Sequence, residues 1–119
     1  MKPIAPDLSR RARGRWGEDR ACTHYRRLGY QIVERTWRCE HGEIDVVARL
    51  DDMVVFCEVK ARRSDAFGGA AAAVDHRKQR RIRRLAAAWL AERQVRGVEV
   101  RFDVIAITGV EVELIEGAF

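Results

Sequence analysis

The sequence predicts an α/β domain in which a mixed β-sheet is flanked by helices, in the order α-β-β-β-α-β-β. Three observations predict it. Apolar residues recur at helical spacing near residues 11–29 and again near 75–93, bracketing a run of strand-like segments. Between them, Gly42–Lys60 (GEIDVVARLDDMVVFCEVK) reads as two strands around a turn at Asp51-Asp52, with β-branched and apolar residues on both flanks. Val98–Ile107 becomes apolar on successive residues at its end, as a strand buried on both faces does.

The chain has 119 residues, enough for one domain with its own core. Residues 1–10 contain both prolines, Pro3 and Pro6, and read as a flexible N-terminal arm before a single domain over 11–119. No apolar run approaches the roughly 18–20 residues of a membrane span. Ser9-Arg10-Arg11 lacks the apolar segment that an export signal needs, so a cytoplasmic protein is expected. Cys22, Cys39 and Cys57 are odd in number and form no C-x-x-C pair, which argues against disulfides and zinc. Cys39-x-His41 has no second pair at metal-ligand spacing, and His41 reads as a turn residue. A formal net charge of +5 suits a polyanionic partner without distinguishing DNA from RNA.

The first helix is expected from Arg11 to Gly29, a good C-terminal stop, with a less polar stripe of Gly14, Gly17, Ala21, Tyr25 and Leu28. Gly14 and Gly17 would let it approach the sheet closely. Glu18 falls on the same face. Its charge suits the start of a helix, or it reaches the site as a third acid.

Tyr30–Arg38 reads as the first strand, with Ile32, Val33 and Trp37 as core candidates. The Gly42–Lys60 hairpin then carries Glu43, Asp45, Glu58 and Lys60 within its apolar background. Side chains two apart on a strand share a face, roughly 6–7 Å from one another, so Lys60 lies beside Glu58. Glu43 could assist a metal, orient a ligand or pair with Arg38. Ionised groups in such a setting cost several kcal/mol unless paired or bound to a metal. Two carboxylates and an ammonium around one point fit a hard divalent cation and an activated water.

The loop Ala61–Gly69 sets Arg62, Arg63 and Ser64 beside this cluster, placed to hold phosphate oxygens. A second helix is expected from an N-cap at Asp75 to about Arg93, with an apolar stripe of Val74, Ile82, Leu85 and Trp89. Lys78 and Gln79 should point back toward the sheet, while Arg77, Arg80, Arg81 and Arg84 fan outward. Such contacts position a nucleic-acid backbone without reading sequence. A helical crossover of this length suits parallel pairing of Val98–Ile107 with Val54–Lys60. Asp103 reads as structural, paired with a basic residue. Val110–Glu116 follows as an edge strand.

The pattern D-(x12)-E-x-K, from Asp45 to Lys60, resembles the signature of the PD-(D/E)XK nuclease superfamily. GEID, FCEVKARRS and R-x-S-x-x-F-G in this order resemble more narrowly the bacterial YraN-type (UPF0102) family, itself similar to archaeal Holliday-junction resolvases. The likeness runs from Gly14 to about Ile107. It implies a restriction-endonuclease-like fold and metal-assisted hydrolysis of DNA, at branched or repair and recombination intermediates. Asp45, Glu58 and the Val59 carbonyl would hold Mg²⁺ or Mn²⁺, Lys60 would orient or deprotonate the attacking water, and Glu18 would be an outer or second-metal ligand. Glu43, Lys78 and Gln79 would support them. The family often has asparagine where this chain has Thr36, a change expected to touch a turn or hydrogen bond. Resolvases work as dimers, so a homodimer is one assembly the resemblance allows. The rival reading is a nucleic-acid-binding module that keeps the fold without catalysis.

Overall fold

The computed structural model describes residues 6–62, 74–108 and 111–119. Helix α1 (Pro6–Arg27) is followed by strands β1 (Gln31–Cys39), β2 (Gly42–Leu50) and β3 (Met53–Arg62). Helix α2 (His76–Glu92) then leads to β4 (Glu99–Thr108) and β5 (Glu111–Ile115). The five strands lie in sequence order in one sheet. The β3–β4 pair is parallel and the other three pairs are antiparallel. The element order and the parallel pair are those expected from the sequence.

α1 begins at Pro6, earlier than the expected start at Arg11, so residues 6–10 are helical. Proline fits the first helical turn because its missing N–H has no partner there anyway. The helix ends as its glycine suggests. Gly29 takes φ +92°, its amide donates to the Arg26 carbonyl at 3.0 Å, and the Tyr30 amide donates to the Tyr25 carbonyl at 2.9 Å. This pair of bonds is the Schellman closure, which satisfies carbonyls the helix leaves open. α2 starts where Asp75 accepts a 2.9 Å bond from the Lys78 amide. Among the described residues, no helix is long and apolar enough to cross a membrane.

Each helix covers one face of the sheet. Against α2 lie Val47, Val54, Phe56, Phe102 and Val104, packed on Ile82, Leu85, Ala86 and Trp89. Against α1 lie Val46, Ala48, Val55, Cys57, Ile105 and Ile107, packed on Ala21, Cys22 and Tyr25. The strict alternation of Val54, Val55, Phe56 and Cys57 between the two cores is the period of a strand. β2 breaks that rule. Ile44 and Val46 are two apart yet belong to opposite cores, so the alternation fails at Asp45.

Three packing expectations are corrected. Val33 is exposed rather than core, because the β1–β2 register shifts between Ile32 and Glu34 and leaves Val33 as the extra residue of a bulge. Leu28 is 48% exposed, since it lies past the end of α1 in the turn that leads into β1. Among the described residues, Gly14 has nothing within 4 Å of the place a Cβ would occupy, whereas at Gly17 that atom would sit 2.5 Å from Ile107 Cδ1 and 2.6 Å from Val59 Cγ1. Of the two glycines, Gly17 makes the close approach.

Asp103 is buried on the α1 side. Arg101 holds it with Nε and Nη2, both at 2.9 Å, while the Tyr25 hydroxyl donates at 2.6 Å and the Gly117 amide at 2.9 Å. Both oxygens have donors, so the group is structural as expected.

Candidate active site

The β2–β3 ladder runs from the tight Leu50↔Met53 turn to Val46↔Cys57 and stops there. The next residues in register are Asp45 and Glu58. Asp45 turns its carboxylate into the opening, where Oδ2 accepts the Val59 amide at 2.7 Å. One carboxylate thus replaces a ladder carbonyl and is anchored by a strand rather than a loop. Burial pushes the Asp45 carboxyl up to about 7, the Glu58 charge adds to it, and the Val59 bond only partly offsets them. Two acids share a largely desolvated space, which calls for positive charge beside them.

Lys60 supplies some of that charge. Its Nζ lies 3.2 Å from Glu58 Oε1, and both side chains are largely covered. Burial pulls the Lys60 ammonium down, but the nearby Lys78 amine and the Glu58 carboxylate outweigh it, and the net direction is up. Lys78 moves the other way, first through its closeness to Lys60 and then through desolvation. The two lysines meet because Lys60 leaves β3 on the α2 side and Lys78 sits on the first turn of α2. Gln79 also turns inward, but its amide is spent on the Val74 carbonyl at 3.1 Å, which steadies the start of α2.

Glu18 reaches the same end of the sheet from α1. The Thr36 hydroxyl donates to its Oε1 at 2.8 Å, and Arg35 Nε lies 3.7 Å from the same oxygen. Glu43 instead pairs on the surface with Arg38, whose Nε donates to Oε2 at 2.8 Å, one of the alternatives its sequence position left open. His41 is exposed in the β1–β2 turn beside Glu40.

Asp45, Glu58 and Lys60 are therefore brought together, with Lys78 at their edge and Glu18 close enough to act on Asp45. Among the described residues, no group of three or more His, Cys, Asp or Glu side chains gathers around one point. The donor set still fits a hard dication. Hard oxygens crowded in a desolvated space and a carboxyl held toward neutrality are what a divalent ion would relieve.

Arg77, Arg80, Arg81 and Arg84 are exposed, at i, i+3, i+4 and i+7 of α2, on one stripe turned away from Ile82, Leu85, Ala86 and Trp89. Arg63 and Ser64 lie outside the described residues, as does the side chain of Arg62.

Sequence reasoning did not single out Thr36 as part of the site. It has φ +49°, a left-handed conformation costing a β-branched residue roughly 1–3 kcal/mol. The signal available was a hydroxyl residue and an acid 18 positions apart, but only the packing of α1 on β1 brings them face to face.

The chain matches the family model described as "Uncharacterised protein family UPF0102" over residues 17–107. A UPF0102 protein of Frankia casuarinae is 50% identical over 113 residues, covering 91% of this chain and 96% of that protein. One from Mycobacterium sp. (strain KMS) is 50% identical over 111 residues, covering 90% of this chain and 82% of its own. One from Moorella thermoacetica is 45% identical over 120 residues, covering 94% and 98% respectively. The stretch from Gly17, which seats α1 on the sheet, to the end of β4 is thus shared as a unit: the chain belongs to the UPF0102 family.

Proposed function

We propose that this protein is a Mg²⁺- or Mn²⁺-dependent endonuclease with a restriction-endonuclease-like core, acting on DNA phosphodiester bonds, with branched or repair intermediates as its substrates. The observation that carries the reading is the opening of the β2–β3 ladder. It sets two carboxylates, Asp45 and Glu58, in a desolvated gap, with an ammonium 3.2 Å from one of them. A dication bound there would supply charge stabilisation and a more acidic water.

The chain's own groups do the rest. Asp45 and Glu58 would hold the cation, Asp45 kept in place by the Val59 amide, and the carbonyl of Val59 would be a further ligand. Lys60, turned to the α2 side, orients the water and steadies negative charge that develops on the phosphate. Glu58 keeps Lys60 protonated and directed. The arginine stripe of α2 binds the backbone nonspecifically, and Arg62, Arg63 and Ser64, which follow Lys60 in the chain, add phosphate-binding groups.

A second reading keeps the binding and drops the catalysis. It is favoured by the arginine stripe, which stands on α2 independently of the acids. Cleavage of branched and linear DNA in Mg²⁺ or Mn²⁺, with Glu58→Gln as control, separates the two. Metal-dependent nicking that the variant loses supports the enzyme. Salt-sensitive binding without nicking supports the module.

A further inference from the structure

The family likeness casts Glu18 as a ligand of the cation, but its surroundings describe a different job. The β1–β2 register passes from Arg35↔Val46 to Trp37↔Ile44 without a pair at Thr36 and Asp45. At this unpaired step Thr36 turns left-handed, with φ +49°. On the facing strand, Ile44 and Val46 fall on opposite sides of the sheet. The two irregularities are one feature: a kink in β1 faces the break in β2, and the break frees Asp45 to turn its carboxylate toward Val59.

A β-branched residue does not hold a left-handed conformation without a tether. The tether here is the 2.8 Å bond from the Thr36 hydroxyl to Glu18 Oε1. Glu18 is itself fixed. Gly17 beside it is wedged against Val59 and Ile107, and Arg35 draws Oε1 from the β1 side at 3.7 Å. Its side chain is 13% exposed, and the oxygen nearest the strand is already engaged twice.

We propose that Glu18 is a positioning residue rather than a cation ligand: through Thr36 it holds the β1 kink that keeps Asp45 out of the ladder and available to metal. This rests on the metal reading above only for what Asp45 is made available to. The kink itself can be observed without metal, which allows the two ideas to fail separately.

The test uses the full chain with Glu18→Gln, Glu18→Ala, Thr36→Val and Thr36→Asn. One readout is Mn²⁺ affinity by calorimetry. The other is the metal-free NMR shift of the Val59 amide proton, displaced downfield by its short bond to a carboxylate. Glutamine still accepts from the Thr36 hydroxyl, so Glu18→Gln should keep the Val59 shift and hold Mn²⁺ affinity within about threefold. Thr36→Val keeps the shape and removes the donor. It should lose the shift and weaken Mn²⁺ by about 10-fold or more, the range seen when groups that orient metal ligands are removed. Thr36→Asn, at home in the left-handed region and able to donate, should preserve both. If Thr36→Val does not fold, Glu18→Ala takes its place as the variant without a tether.

A loss of about 10-fold in Glu18→Gln, with Thr36→Val unaffected, would make Glu18 a ligand and overturn the proposal. So would an unchanged Val59 shift in the tetherless variants. Should the wild-type protein bind no Mn²⁺, the metal reading falls. The positioning role is then decided by the Val59 shift alone.

Discussion

The Val59 amide donates to Asp45 Oδ2 at 2.7 Å, beyond the last β2–β3 pair. This single bond joins the end of one strand to the side chain of the other. It holds a carboxylate next to Glu58, where burial and the neighbouring negative charge disfavour its ionised form.

The first consequence is a pH dependence. In the folded protein the Asp45 carboxyl sits at about 7, above the ordinary aspartate value, so the native state keeps a proton that the unfolded chain releases. Its contribution is therefore full below about pH 4 and is lost as pH rises toward about 7. Asp45→Asn removes this effect while keeping an acceptor for Val59. The melting temperature of the wild type relative to this variant should fall between about pH 4 and pH 8. A constant difference across that window would show that Asp45 ionises freely.

Glu58→Gln relieves the same repulsion from the other side. Without metal it should melt no lower than the wild type, and with millimolar Mn²⁺ it should lose the stabilisation that a bound ion gives by mass action. Lys60→Met should keep most of the Mn²⁺ response and lose cleavage. Thermal melting beside a nicking assay measures both. A Glu58→Gln protein that unfolds, together with a wild type indifferent to Mn²⁺, would make the pair structural.

The arginine stripe predicts a salt effect. Replacing Arg80, Arg81 and Arg84 together by alanine should weaken binding to all DNA sequences alike. It should also reduce the slope of log affinity against log salt by up to about three, roughly one for each phosphate no longer neutralised. Fluorescence anisotropy over a salt series reads it, and an unchanged slope would leave the stripe as a solvated face.

The two α1 glycines should respond in opposite directions. Gly14→Ala meets no atom of the described residues within 4 Å and should gain about 0.5–1 kcal/mol from helix propensity. Gly17→Ala would drive a methyl into Ile107 and Val59, with a packing cost of roughly 1–3 kcal/mol that offsets or exceeds the same gain. Chemical denaturation of both variants checks the sign of the difference.

By itself the sequence determined what depends on local periodicity and local backbone chemistry. The two helices, the hairpin turning at Asp51-Asp52, the Gly29 stop, the Asp75 cap and the parallel β3–β4 pair were all legible from spacing and turn residues. So was the company of Glu58 and Lys60, because residues two apart on a strand share a face. The UPF0102 family was legible too, in the GEID and E-x-K motifs. Tertiary structure decided whatever depends on which residues lie opposite one another. Val33 leaves the core because β1 carries an extra residue against β2, and Leu28 because the chain turns before it can pack. The Asp45 carboxylate held by Val59, the left-handed Thr36 tied to Glu18, and the meeting of Lys60 with Lys78 each join segments far apart in the chain. Such juxtapositions follow from register and helix placement, which are set by the packing of the whole core rather than by any window of sequence.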